Sequence, residues 1–236
     1  MSFWQLMGFG VNGWAADMVW ATVITCAIAL CGFLLGAVIG CLGCWAKLSS
    51  FLLPRLAADA YTTVLRGVPD LLVIYLLYFG SSMVLTDVAK WFGVSGFFGL
   101  PAFLVGTVAI GVVSGAYQIE VLRGAFGCVP GGTIEAARAL GLSGWRLLLL
   151  IIVPQTLLHA LPGLGNVWLL VLKESALISV VGVVELMRQA QIGAGATHQP
   201  FYFYLAAGAL YLLVTLLSGH GLRRLERRLA RPMGRS

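Results

Sequence analysis

The sequence predicts an all-α, polytopic membrane protein with about five transmembrane helices. Two observations carry that prediction. Of 236 residues, 60% are apolar and 10% charged, against roughly 25% charged in an ordinary soluble domain. The 15 basic and 9 acidic residues are also absent from 18–46, 71–86, 91–119, 147–172 and 189–222. A membrane helix needs about 20 such residues, and a helix satisfies its own backbone groups in lipid.

The first stretch, 18–46, spans outright. Gly32, Gly36 and Gly40 are spaced four apart on one of its faces, a pattern that allows close helix approach. Cys26, Cys31, Cys41, Cys44 and Cys128 read as small apolar fillers. Cys41 and Cys44 form a CxxC with no second pair and no nearby His, too little for a metal or redox site. The second stretch, 71–86, gains length if Gly67 to Asp70 lie at its inner mouth. The third and fourth, 91–119 and 147–172, span without help. Between the fourth and fifth, Ala176 to Val184 is apolar but too brief to cross, and Gly193, Gly195 and Pro200 punctuate the chain beyond it. A short re-entrant or interfacial helix within 174–198 fits that texture, enclosed by protein or a water-filled cavity. No internal repeat is visible.

The distribution of Lys and Arg orients the chain. With the N-terminus outside, the inner segments hold Lys47, Arg55, Arg66, Arg123, Arg138, Arg146 and six arginines between Arg223 and Arg235. The outer segments hold Lys90, Lys173 and Arg188. Twelve against three predicts N-out and C-in. The net charge of +6 therefore speaks for an anionic membrane face and not for nucleic acid. No Lys or Arg precedes the first span, so a cleavable signal peptide is not expected.

Nucleotide and hydrolytic motifs are missing. Lys47, Lys90 and Lys173 follow Ala46, Ala89 and Leu172, whereas a phosphate-binding loop places Gly before Lys. His159, His198 and His220 are isolated, and neither HExxH nor GxSxG occurs. The chain reads as a transport scaffold without metal or cofactor of its own, its driving energy supplied by a partner.

Residues 131–154 hold a short helix with a start and a stop. Glu135 is expected in its first turn, where a carboxylate favours the helix dipole, and Gly141 after its last, where a left-handed residue is wanted. The eight residues from Thr133 to Leu140 would make a rod of about 12 Å, too short to stand alone in water.

Glu135-Ala136-Ala137, three residues, Gly141, nine residues and Ile151-x-x-Pro154 resemble the EAA loop of permease subunits of ATP-binding-cassette importers. Val153 stands where Leu is usual in that pattern. Arg66-Gly67-Val68-Pro69-Asp70, Glu120-x-x-Arg123-Gly124 and 160–166 (ALPGLGN) resemble the polar-amino-acid branch, and within it the permeases for histidine, lysine, arginine, ornithine and opines. The resemblance implies the type I importer permease fold over 17–228. It leaves 1–16 as a periplasmic segment and 229–236 as a basic cytoplasmic tail. It also implies a second permease subunit, identical or a sister chain. A dimer of ATPase subunits would bind ATP and Mg, a periplasmic binding protein would deliver the solute, and the setting would be lipid of the bacterial inner membrane. Glu135, Ala136, Ala137, Leu140 and Gly141 would then form the helix that couples to the ATPase.

Inside the spans, polar residues fall on stripes at about 100° per residue. Gln155, His159, Asn166 and Lys173 share one face of the fourth span, Thr107, Ser114 and Gln118 one of the third, and Tyr204, Tyr211 and Thr215 one of the fifth. Each stripe is either interhelical hydrogen bonding or the wall of a solute path. Glu120 and Arg123, three apart, are expected to pair along the helix as a structural contact or an inner gate. Arg66 and Asp70, flanking Pro69 at the inner mouth of the second span, read the same way. Glu174 lies at the outer end of the fourth span beside the re-entrant segment, where transporters build solute sites. A cationic amino acid wants acids, carbonyls and a cationic or N–H partner. Lys173, Glu174 and Gln118, with Glu185 as a further acid, are the candidates. The expected function is import of polar amino acids of the arginine, histidine, lysine, ornithine and opine type. An ion-coupled secondary transporter is the alternative.

The orientation is checked by cysteine labelling. In a Cys-less variant, single cysteines at Asp87 and Thr197 should react with an impermeant thiol reagent from the periplasm, and one at Gly132 should not. Labelling of position 132 in intact cells would reverse the topology.

Overall fold

A computed structural model describes residues 6–10, 13–93, 96 and 99–230. Arg231 and Arg235 of the basic tail, and 1–5 and 11–12 of the expected N-terminal segment, lie outside the described residues. Among the described residues there is no strand. The helices in chain order are α1 (Ala15–Leu48), α2 (Leu52–Gly67), α3 (Asp70–Trp91), α4 (Ala102–Gly127), α5 (Gly131–Ala139), α6 (Gly144–Leu147), α7 (Val153–Glu174), α8 (Leu186–Thr197) and α9 (Pro200–Ala230). A π turn, Leu148–Ile152, joins α6 to α7, and a 3-10 turn, Ser175–Val181, follows α7. Five helical stretches, Ala15–Leu48, Asp70–Trp91, Ala102–Gly127, Gly144–Val181 and Pro200–Leu229, are long and apolar enough to cross a membrane.

The element boundaries depart from the apolar stretches where Pro and Gly intervene. The fifth span starts at Pro200 instead of 189. His198 takes a left-handed φ of 56° and ends α8, which therefore stands apart from α9. The third span starts at Ala102, not 91, because Trp91 closes α3. The largest departure is α2. Its Arg55, Asp59 and Arg66 had the texture of a loop, yet Ala58 and Thr62 are buried on one face and Leu52, Leu53 and Leu56 are exposed on the other. Its small and polar residues face the bundle and these leucines face outward, which suits a lipid-facing helix. Val68, extended before Pro69, separates α2 from α3. The second span is thus a broken helix.

Helix α4 is the hub. Its apolar window is 61% buried, and no other span exceeds 33%. The most extensive helix contact is between α1 and α4, and glycines make it. A Cβ at Gly32 would stand 2.6 Å from Ile110 Cγ2, and one at Gly40 would stand 2.9 Å from Gln118 Cβ. Reciprocally, a Cβ at Gly111 would meet Leu35 Cδ2 at 2.6 Å, and one at Gly115 would meet Ile39 Cγ2 at 2.7 Å. Small residues on each helix receive large ones from the other, which lets the backbones approach closely. The glycine stripe of the first span has the packing role expected of it.

Three apolar clusters run along the bundle. Ile28, Ile74, Ile110, Val171 and Ile178 join α1, α3, α4, α7 and the 3-10 turn at its middle. Met18, Leu186, Ala190 and Phe203 close the α8 end, and Cys44, Leu122 and Ala160 the α5 end. Within 174–198 the short helix is α8, held against α1 and α9. Leu30, Leu34, Leu76, Leu212 and Leu217 are exposed, which suits a lipid-facing surface.

Candidate functional site

Helix α5 ends as its sequence predicts. Gly141 has φ +80°, its N–H donates to the Arg138 carbonyl at 2.9 Å, and the Leu142 N–H donates to the Ala137 carbonyl at 3.0 Å. These two bonds make a Schellman cap, which wants glycine at the left-handed position. The helix begins earlier than expected, at Gly131 after Pro130. Glu135 accordingly sits in the second turn and not in the first. Ala137 faces inward, while Glu135, Ala136 and Leu140 are exposed, Leu140 to 83%. With Trp145 at 70% exposure and a cavity of about 540 Å³ lined by Arg138, Leu142 and Leu147, this end presents a contoured, partly apolar surface.

At mid-bundle a second cavity, about 500 Å³, is lined by Arg66, Tyr117, Glu120, Asn166 and Lys173 among others. The broken second span builds one wall. The Tyr61 hydroxyl donates to the Val112 carbonyl in the middle of α4, so the chain has already reached mid-bundle when α3 starts. The Asp70 carboxyl consequently lies near the Glu174 carboxyl. Asp70 opens α3 and Glu174 closes α7, and the break after α2 sets the two helix ends side by side. Glu174 is buried, and no donor among the described residues reaches its Oε1. Arg66 lies over the Tyr117 ring, 5.7 Å from the centroid. Arg66 and Asp70 form no ion pair with each other among the described residues. His159, Asn166 and Lys173 of the α7 stripe are exposed and Gln155 is half-buried, so that stripe faces outward from the chain's own core.

Two residues of the third-span stripe bond to α1. Ser114 Oγ donates to the Gly32 carbonyl at 3.4 Å and Gln118 Nε2 to the Phe33 carbonyl at 3.1 Å. Gln118 is fully buried between α1 and α4 and does not join Lys173 and Glu174. Glu185 is likewise set apart from the cavity. It caps α8, accepting from the Met187 and Arg188 N–H groups at 2.9 and 2.8 Å, and also takes the Tyr211 hydroxyl at 2.9 Å and Thr25 Oγ1 at 3.5 Å. Burial pushes its carboxyl above the ordinary range and the four donors pull it back. Glu185 thus pins α8 to α1 and α9.

Glu120 pairs with Arg123 as expected, at 2.9 Å, and also with Lys47 at 2.5 Å. Lys47 in turn holds Asp59 at 2.8 Å and Thr62 Oγ1 at 2.7 Å. Charge spacing alone puts Lys47 in a loop and does not single out Asp59 or Tyr117. The spacing of Asp59, Thr62 and Arg66 on one face of α2 was the available signal. No cluster able to hold a metal occurs among the described residues.

Residues 32–231 match the binding-protein-dependent transport system inner membrane components. The octopine transport system permease protein of Rhizobium radiobacter is 59% identical over 235 residues, covering 100% of this chain and 99% of that protein. The histidine/lysine/arginine/ornithine transport system permease protein of Escherichia coli is 36% identical over 216 residues, covering 92% and 94%. A crystal structure of an amino acid ABC transporter with histidines matches with TM-score 0.77 at 32% identity, over 91% of this chain and 95% of that one.

Replacing Glu185 by Leu would leave the Met187 and Arg188 N–H groups and the Tyr211 phenol without their acceptor, at about 1 kcal/mol or more each. The thermal midpoint of the purified protein should fall by roughly 5 °C or more. An unchanged midpoint would deny Glu185 its anchoring role.

Proposed function

The chain belongs to the inner membrane components of binding-protein-dependent transport systems, and from that membership we propose that it carries a basic amino acid, or an opine built on one. It is a multi-pass inner membrane protein and a permease subunit of an ABC importer of the amino-acid and opine class. The ion-coupled alternative finds no support among the relatives matched. The observation that carries the solute reading is the Asp70–Glu174 carboxyl pair at mid-bundle. Two neighbouring carboxylates repel, and a guanidinium or ammonium placed beside both would satisfy them. Charge-assisted contacts of this kind are worth about 1.5–3 kcal/mol. Arg66 and Lys173, on the wall of the adjoining cavity, suit the carboxylate end of the solute. An opine, an amino acid N-alkylated by a second carboxylic acid, would engage both.

The α5 segment would couple the chain to its motor. Glu135, Ala136, Ala137, Leu140 and Gly141 would dock on a dimer of ATPase subunits, which would bind ATP and Mg in place of this chain. The exposed α7 stripe of His159, Asn166 and Lys173 would face a second permease subunit across the path, since such groups are costly against lipid. A periplasmic binding protein would deliver solute on the α8 side, with the N-terminus periplasmic and the C-terminus cytoplasmic. ATP-driven closure of the ATPase dimer would draw the coupling helices together and shift the bundle between inward-open and outward-open populations.

Both arms are testable in reconstituted complex with its binding protein. Glu174→Gln and Asp70→Asn should each lower uptake of arginine or octopine about ten-fold or more, a loss of about 1.4 kcal/mol, without loss of assembly. Full uptake by both variants would remove the pair from the site. A parent complex that moves neutral amino acids and ignores basic ones would defeat the solute class.

Gly141→Val should strain the left-handed cap of α5 and Glu135→Lys should reverse the charge of its exposed face. Transport and ATPase attachment should both drop while insertion stays intact. Parental transport and parental ATPase pull-down in both variants would sink the coupling role.

A further inference from the structure

Glu120 is the only acid among the described residues lining the mid-bundle cavity, and it stands on the α5 side of Tyr117 along α4. A cationic solute moving from the Asp70–Glu174 pair toward the α5 end would meet it. A bare carboxylate there would be a second place for the cation to stop. The structure answers that carboxylate twice. Oε1 accepts from Lys47 Nζ at 2.5 Å, and Oε2 accepts from Arg123 Nη2 at 2.9 Å and Nε at 3.2 Å.

The two cations are not equivalent. Arg123 has a side chain 53% exposed, whereas Lys47 is 6% exposed. Water and salt weaken the exposed pair, so Lys47 supplies the durable neutralisation. Lys47 is also held from behind, by Asp59 at 2.8 Å and Thr62 Oγ1 at 2.7 Å, so its position is set from α2 as well as from Glu120. Lys47, Arg123, Glu120 and Asp59 sum to zero charge. Without Lys47 the group carries one net negative charge, at the cavity wall.

We propose that Lys47 is a positioning residue that keeps Glu120 from retaining a cationic solute on its way through the cavity. The proposal rests on the reading that the solute is a cation. A purely structural ion network predicts that loss of Lys47 weakens assembly and binds no solute more tightly. The positioning role predicts the opposite for binding: tighter retention and slower passage, for charged solutes only.

The test uses the permease complex with its ATPase subunits in nanodiscs, probed by equilibrium binding of arginine and of citrulline, its neutral isostere. Uptake is measured in proteoliposomes with the binding protein. Lys47→Met should tighten arginine binding about ten-fold and slow maximal uptake comparably, with citrulline binding unchanged. Adding Glu120→Gln to Lys47→Met should return both quantities to the parental values. Glu120→Gln alone leaves one net positive charge at the wall, so its arginine affinity should fall by at most a few-fold, and Lys47→Gln, with the same expected tightening, stands in if Lys47→Met does not assemble. Unchanged or weaker arginine binding in Lys47→Met, or equal shifts for arginine and citrulline, would overturn the proposal. So would a ten-fold loss in Glu120→Gln, which would make Glu120 a direct solute contact. A parent complex that binds no arginine would instead remove the solute reading, and this proposal with it.

Discussion

In lipid, apolar side chains gain little by burying against one another, so helices associate where their backbones can come close. The α1–α4 contact meets that condition with glycines on both sides, Gly32 and Gly40 receiving Ile110 and Gln118, and Gly111 and Gly115 receiving Leu35 and Ile39. Everything else is arranged around the face of α4 that this contact leaves free. Ser114 and Gln118 are spent on α1. Tyr117, Glu120 and Val121, one step round the helix, are left to line the cavity with α7. Gly163 of α7 completes the arrangement, since a Cβ there would stand 2.7 Å from Val121 Cγ1.

Charge inside the bundle is handled in three ways, and the differences separate architecture from function. Glu185 is closed by four hydrogen bonds and serves α8. Glu120 is closed by two cations, with Asp59 balancing the second. The Asp70–Glu174 pair has no closing cation, and Glu174 Oε1 has no donor among the described residues. A buried acid costs roughly 2.5–3.5 kcal/mol even on lenient scales. An acid pair left open at that cost is a place where a ligand, and not the fold, is expected to complete the interaction.

Much of this was legible in the sequence. Charge-free length marked the five spans, Gly141 marked the stop of α5, and the four-residue glycine spacing marked the α1 seam. What failed did so for physical reasons. Gln118 and Asn166 are equally polar and sit on equally regular stripes, but periodicity shows only that residues share a face. It cannot show which neighbour that face meets, and the two stripes went to different neighbours. Asp70 and Glu174 are over a hundred residues apart, and their meeting depends on a helix break whose depth is set by Tyr61 reaching Val112. Lys47 looked like a loop charge because its partners, on α2 and α4, are brought to it only by packing.

The break itself has a chemical consequence that a straight second span would lack. Helix α3 begins at Asp70 and α7 ends at Glu174, so the junction sets a helix N-terminus beside a helix C-terminus. The start of α3 carries partial positive charge in its free N–H groups, whereas α7 runs on into the 3-10 turn Ser175–Val181, which takes up its last carbonyls. Irregular backbone of this kind is tolerated at depth only where protein or a cavity receives it. For a solute with a carboxylate at one end and a cation at the other, the N-terminus of α3 offers the carboxylate a complementary field and the acids offer one to the cation. The acid pair then tilts the balance toward the cation. If the solute is basic, as proposed, a neutral amino acid would find the backbone field but leave the acids unanswered, whereas arginine or an opine of it would satisfy both.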